Sequence, residues 1–327
     1  MDISSRANET RRQELERLFP GIERKEYKAI RDLIETGTRE QIEDYLSHYE
    51  PSPIILRRIA REVARRGYRD MVDDFLDIGL ISYQEVAEAS SEGGHKEIVD
   101  EMIEKGANDY NGIATGAAFG GHREILNEAI ERGANDYNGI AVEAARGGYK
   151  EIVDQMLRLG ADEYHEIAYR AAESGHKEIV DEMIERGVDD YDDIATSAVL
   201  GGHLDIIEEM VELSADNYNE IARVAALRGY KNIVDRMFEL GADDYNGIAC
   251  DAAGGGHRDI VEDAIRRGVD DYDEIASSAA EGGYGDLAED MIRRSADDHN
   301  GITRASTVID YPELIEEMDR QAEHLTY

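Results

Sequence analysis

Apolar side chains along this chain fall into paired clusters that return every 27 residues. In residues 107–133 the first cluster is Ile113, Ala114, Ala117 and Ala118, and the second is Ile125, Leu126, Ala129 and Ile130. Both follow an i, i+1, i+4, i+5 spacing, which gathers them on one face of an α-helix. The second set recurs as Ile98, Val99, Met102, Ile103 and as Ile179, Val180, Met183, Ile184. Polar residues mark the boundaries. Asp109 can N-cap the first helix, and its counterparts are Asp136, Glu163, Asp190, Asn217, Asp244, Asp271 and Asp298; all but Glu163 are good caps. An acid three residues later, at Glu85, Glu166, Asp193, Glu220 or Glu274, completes or approximates a capping box. Gly120 and Gly121 end the first helix, a second begins near Arg123, and Gly133 stops it. Acids in the first turn of the second helix (Glu97, Glu124, Glu151, Glu178) and bases near its end (Lys105, Arg132, Arg186, Arg267) suit the helix dipole.

A column of flat polar rings keeps the same period. Tyr68, His95, His122, Tyr149, His176, His203, Tyr230, His257, Tyr284 and Tyr311 are equally spaced, and a Gly precedes each of the first nine. A fixed period of this length marks a solenoid, whose units bury their apolar faces only against neighbours. The expected architecture is all-α: an α-solenoid of about nine to ten 27-residue helix-turn-helix repeats with helical caps. Residues 1–52 read as the N-terminal helical cap, with 36–49 a drifted second helix and Pro51 and Pro53 at the join. Nine repeats fill 53–295. Residues 296–327 make a degenerate repeat and C-terminal cap, in which Pro312 opens a helix carrying Glu313, Glu316, Glu317, Asp319 and Arg320.

Ala171-Ala172, Gly175-His176, Glu178-Ile179-Val180, Ile184 and Gly187, with the same columns elsewhere, resemble an ankyrin repeat. That unit is about 33 residues long, with a Thr-Pro-Leu-His helix start and a projecting β-hairpin. Here Asn108-Asp109-Tyr110-Asn111-Gly112 alone joins one unit to the next helix, with no Thr-Pro and no room for a hairpin. The chain resembles a shortened, ankyrin-like array lacking the β-hairpin, of the kind found in large DNA viruses and some bacteria. The resemblance implies a protein-binding scaffold that presents its first helices on a concave face.

Charge adds a second theme. The 36 Lys and Arg against 74 Asp and Glu give a net −38. Residues 1–69 carry 15 bases and 13 acids, so the remainder carries a net −40. Such a body repels nucleic acid and anionic lipid, and attracts basic partners. The lone Cys250 excludes an intrachain disulfide framework, the polar start is no secretory signal, and no apolar run reaches the ~20 residues of a membrane helix. An intracellular, cytoplasmic protein is expected (host cytoplasm if viral).

Candidate chemistry is sparse. His95 with His122 and His176 with His203 are the neighbouring imidazole pairs, but repeats ~8–10 Å apart do not bring ligands within the ~2.0–2.3 Å of one point that zinc needs. Bracing of the turns explains a column in which Tyr alternates with His. A second column, Tyr83, Tyr110, Tyr137, Tyr164, Tyr191, Tyr218, Tyr245, Tyr272 and His299, opens each first helix and reads as connector packing. Acidic connectors such as 188–193 lack the ligand pattern of a calcium loop and are explained by capping. No nucleophile–base pair or phosphate loop stands out, and neither cofactor nor metal is expected.

Variation is concentrated in three columns of the first helix, such as Thr115, Gly116, Phe119 and Thr196, Ser197, Leu200. Phe119, Arg146, Tyr169, Arg170, Leu200, Arg223 and Leu227 are the candidate partner-binding residues, because aromatic residues and Arg anchor interfaces. The expected function is a non-enzymatic interaction scaffold. The alternative is an acidic decoy for basic proteins: one net charge per ~2.3 Å, at ~10 Å per repeat, approaches the ~1.7 Å of duplex DNA. Arg57, Arg61 and Arg65 share a helical face, flanked by Arg58, Arg66 and Arg69, and offer a route to self-association with an acidic region of another copy.

Overall fold

The computed structural model of the chain describes residues 37–48 and 53–297. Among the described residues there are nineteen α-helices and no strand. They group into two compact units, Met1–Asp189 and Asp190–Tyr327. The first unit holds α1 (Arg39–His48), α2 (Pro53–Arg65), α3 (Arg69–Asp77), α4 (Tyr83–Glu92), α5 (Lys96–Glu104), α6 (Tyr110–Gly120), α7 (Arg123–Glu131), α8 (Tyr137–Gly147), α9 (Lys150–Leu159), α10 (Tyr164–Ser174) and α11 (Lys177–Glu185). The second holds α12 (Tyr191–Gly201), α13 (Leu204–Glu212), α14 (Tyr218–Arg228), α15 (Lys231–Leu240), α16 (Tyr245–Gly255), α17 (Arg258–Arg267), α18 (Tyr272–Glu281) and α19 (Gly285–Asp297). Helix α1 is the helix expected in 36–49. The rest of the N-terminal cap, Pro51, Asp298 and the degenerate repeat lie outside the described residues.

Within each unit, consecutive first helices pack directly on one another (α2, α4, α6, α8, α10; then α12, α14, α16, α18), and each packs on its own second helix. The reason is side-chain size. Ile113, Ala114, Ala117 and Ala118 of α6 are fully buried, as are the matching residues of α8 and α10, and two alanines per turn let backbones approach. The second helices bury larger groups such as Ile125, Leu126, Ile152 and Met156. The repeating apolar face is a thin ribbon of core, renewed at every step.

Glycine closes the turn inside each repeat. Gly121 sits at φ 78°, and the bonds His122 N–H to Ala117 O (2.7 Å) and Gly121 N–H to Ala118 O (3.2 Å) make a Schellman ending. At the other end, Asp109, Asp136, Asp244 and Asp271 each accept the N–H three residues on, as their cap position predicts. The capping boxes correct the sequence reading. The reciprocal box is complete at Ser82 and Glu85, while α10, α12 and α14 have no side-chain cap despite Glu166, Asp193 and Glu220. At α10 the cap residue Glu163 is too long, and at α14 the Asn217 amide turns to the Asp192 carbonyl and the Thr196 hydroxyl.

Candidate functional site

Three sets of contacts fix one repeat against the next. In the first set, the ring column lies under the left-handed glycine of the preceding repeat. Tyr149 covers Gly121 so closely that a Cβ there would overlap the phenol ring, and His122 covers Gly94 in the same way. Nε2 of His95, His122 and His176 donates to the carbonyls of Arg65 (3.0 Å), Glu92 (3.1 Å) and Arg146 (3.2 Å). Those imidazoles are braces, with the tautomer set by a partner that can only accept.

The second set was not read from the sequence. The residue after each column Tyr reaches forward to the next connector. Asn111 Oδ1 accepts the N–H groups of Asn135 (2.8 Å) and Asp136 (3.0 Å). Gln84, Asn138, Asp192, Asn219 and Asn246 do the same 24 and 25 residues on. The repeated Tyr-Asn was visible, but only the fold shows that this position faces the following connector.

The third set ties second helices together. Lys96 Nζ bridges Asp100 of its own helix (2.9 Å) and Glu128 of the next repeat. Lys150 joins Asp154 and Glu182, and Lys231 joins Asp235 and Asp263. Burial pushes the Glu182 carboxyl up, yet hydrogen bonds from Lys150 and Arg186 outweigh it and hold the group at about 2. Bonds from Lys231 and Arg266 bring Asp263 to about 2 against burial. Parts of the acidic rows on the second helices are therefore paired: Asp100, Glu101, Asp181 and Glu182 all meet Lys or Arg.

The three variable columns of the first helices remain. Phe119, Tyr169, Leu200, Arg223 and Leu227 are half-buried between neighbours, while Arg146 and Arg170 are exposed. In the first unit the Arg146 guanidinium lies over the Phe119 ring (5.1 Å to its centre), and Tyr169 meets His165 edge-on at 6.4 Å. Arg170 bonds Glu166 (3.0 Å) and Glu173 (2.9 Å). In the second unit Arg223 Nε donates to Asp251 (2.8 Å), a carboxylate only 8% exposed. That changes the meaning of Arg223: its charge is committed to a buried partner. Beside it, burial pushes the Cys250 thiol up to about 12, so it stays protonated and inert.

Two of the N-terminal arginines, Arg61 and Arg65, belong to these same columns. Counting back in steps of 27 from Thr115 and Phe119 gives Glu88 and Glu92, then Arg61 and Arg65. Arg57 pairs with Glu85 (3.1 Å), Arg61 approaches Glu88 (3.9 Å) and Arg65 approaches Glu92 (3.9 Å). Burial pushes the Glu92 carboxyl up against the pull of Arg65. The arginine face is a ladder of ion pairs between α2 and α4. Over nine repeats the three columns carry five bases (Arg61, Arg65, Arg146, Arg170, Arg223) and seven acids, a net −2 in a chain of net −38.

These helices and joints define an all-α array of ankyrin-like 27-residue repeats. Among solved structures the chain is similar to the human ASB11 ankyrin repeat domain, with 19% identity over 56% of this chain and 98% of that chain, and a TM-score of 0.41. At that score the likeness adds nothing to what the repeats show by themselves. No family model and no curated protein matches the chain.

Proposed function

We propose that the chain is a non-enzymatic protein-interaction scaffold, with the partner received on the first-helix face of each unit. The observation that carries this reading is that the three first-helix columns are near-neutral inside a strongly acidic chain: net −2 over nine repeats, with half-buried Phe119 and Tyr169 in the first unit and Leu200 and Leu227 in the second. Interface cores are depleted of charge and enriched in aromatic residues and Arg. The close packing of first helices supports an inner, concave placement of those columns within each unit. Arg146 and Arg170 supply exposed cations beside the aromatic anchors, whereas Arg223 supports its columns by neutralising Asp251.

The test is capture of partners from the native host by wild type and by Tyr169→Ala/Leu227→Ala. Each central anchor contributes about 2 kcal/mol or more, so the double variant should lose capture by well over tenfold with unchanged helicity. Unaltered capture by that variant would move the partner to another surface. The net charge favours a second reading, an acidic decoy for basic proteins. Its binding should collapse between low and moderate salt, whereas binding to the columns should persist at about 1 M, where the Debye length is ~3 Å.

A further inference from the structure

We propose that Asn138-Gly139 and Asn246-Gly247 are deamidation sites held in check by the helix caps and by the next repeat, so that amide loss marks the opening of a joint. The chemistry is intrinsic to an Asn followed by Gly. The Gly backbone nitrogen attacks Cγ of the Asn side chain and gives up its proton to solvent. The side-chain amide nitrogen then departs as ammonia, leaving a five-membered succinimide. Water opens that ring at either carbonyl, yielding Asp or isoaspartate; overall, one amide and one water become one carboxylate and one ammonium. Gly is the fastest successor because no side chain shields its nitrogen.

Both reacting ends are restrained here. The attacking nitrogen of Gly139 donates its proton to Asp136 Oδ1 (3.0 Å), and that of Gly247 donates to Asp244 Oδ1 (3.0 Å). The electrophile is clasped as well. Asn138 Oδ1 accepts from Asp162 N–H (2.8 Å) and Glu163 N–H (3.3 Å), while Nδ2 donates to Asp162 Oδ1 (3.1 Å). Asn246 makes the same three bonds, to Asp270 N–H, Asp271 N–H and Asp270 Oδ1 (2.6 Å). A helical backbone at Asn138 further holds the attacking nitrogen in an intrahelical direction.

The reactive successor also sits tightly against the cap. A Cβ on Gly139 or Gly247 would collide with the capping carboxylate of Asp136 or Asp244. The cap does not demand glycine, since Asp271 caps Glu274 in the same column, but where glycine stands the cap guards the labile neighbour. The product is not neutral to the joint. An Asp at 138 would set a carboxylate against Asp162 where the amide now donates, and like charges at that distance repel. Asp192, beside Asp216 in the same relation, shows that a carboxylate can still hold the two backbone N–H groups, so conversion to Asp loses the Nδ2 bond and keeps the clasp. Isoaspartate lengthens the main chain by one atom and breaks the clasp.

The test follows Asn138 and Asn246 by peptide mapping of the full chain during incubation at neutral pH and physiological temperature. In the folded wild type both amides should outlast those of the same chain unfolded in urea. Asp136→Ala should speed conversion of Asn138 roughly fivefold, the factor by which losing an N-cap favours local opening, with Asn246 unchanged as an internal control. Asp136→Ser, which keeps a cap, should restore the wild-type rate. Equal Asn138 rates in wild type and Asp136→Ala would overturn the proposal. So would equal acceleration at both sites, or a folded wild type that converts as fast as the unfolded chain.

Discussion

Two glycines of one repeat carry different burdens, although both sit at positive φ. Gly121, at φ 78°, also lies beneath the Tyr149 ring, whereas Gly133, at φ 117°, has open space where a Cβ would go. Gly133→Ala should therefore cost only the left-handed penalty of about 1–2 kcal/mol. Gly121→Ala adds the displacement of a packed ring, so we expect at least twice the loss in a urea melt. Ser214 supplies the reverse case. It occupies the column of Gly133 at φ 101°, and Ser214→Gly should stabilise by roughly 0.5–1 kcal/mol through relief of that strain. Equal losses for the two Ala variants would remove the ring contact as a stabilising element. The sequence showed that Gly recurs before each ring, but not that the ring covering a glycine belongs to the following repeat.

At the scale of the helix, the period and the i, i+1, i+4, i+5 spacing made each element legible almost to its ends. Helix α6 runs Tyr110–Gly120 and α7 Arg123–Glu131, where the Asp109 cap and the Gly-Gly turn place them. Contacts between repeats were harder to read, because they join positions 24 to 32 residues apart whose partners alternate in type. The Lys150, Glu182 and Arg186 bridge is one such contact, and it gives the array an acid limit. The Glu182 carboxyl is held at about 2 from an ordinary 4.5. A carboxyl depressed on folding stabilises above its unfolded value and loses that contribution as pH falls through its folded value. Stability should thus decline between pH 4.5 and about 2. Glu182→Gln should flatten part of that slope while lowering stability at neutral pH. An identical pH profile for the variant would show that the bridge does not form in solution.

For the molecule as a whole, charge was legible in amount and not in placement. Net −38 suggested an acidic surface with a separate arginine face. The structure aligns Arg57, Arg61 and Arg65 with Glu85, Glu88 and Glu92, so a second copy docking there would compete with contacts within the chain. We expect sedimentation at low ionic strength to show a monomer. Changing the three arginines to Glu should cost roughly 1–3 kcal/mol in the N-terminal repeats, the sum of three exposed pairs lost and reversed. A salt-reversible dimer of wild type, abolished by those changes, would establish self-association through the arginine face. The candidate anchors were found because they break a repeat that is otherwise kept. Arg223 shows the limit of that signal, since a variable position serves a neighbour as readily as a partner.

The clasp of each Asn or Asp on the following connector, like the ring over each glycine, uses the same columns at every step within a unit. Any repeat there therefore presents a forward edge that suits the rear edge of several others. Removing 107–133 would bring Gln84 to the Asn135 connector and Tyr149 over Gly94, so that the clasp and the ring contact are each replaced by one of their own kind, while Lys96 would meet Gln155 in place of Glu128. Length in such a chain is a quantity that copying can raise or lower by whole turns of the pattern, without a clasp or a ring contact being invented anew.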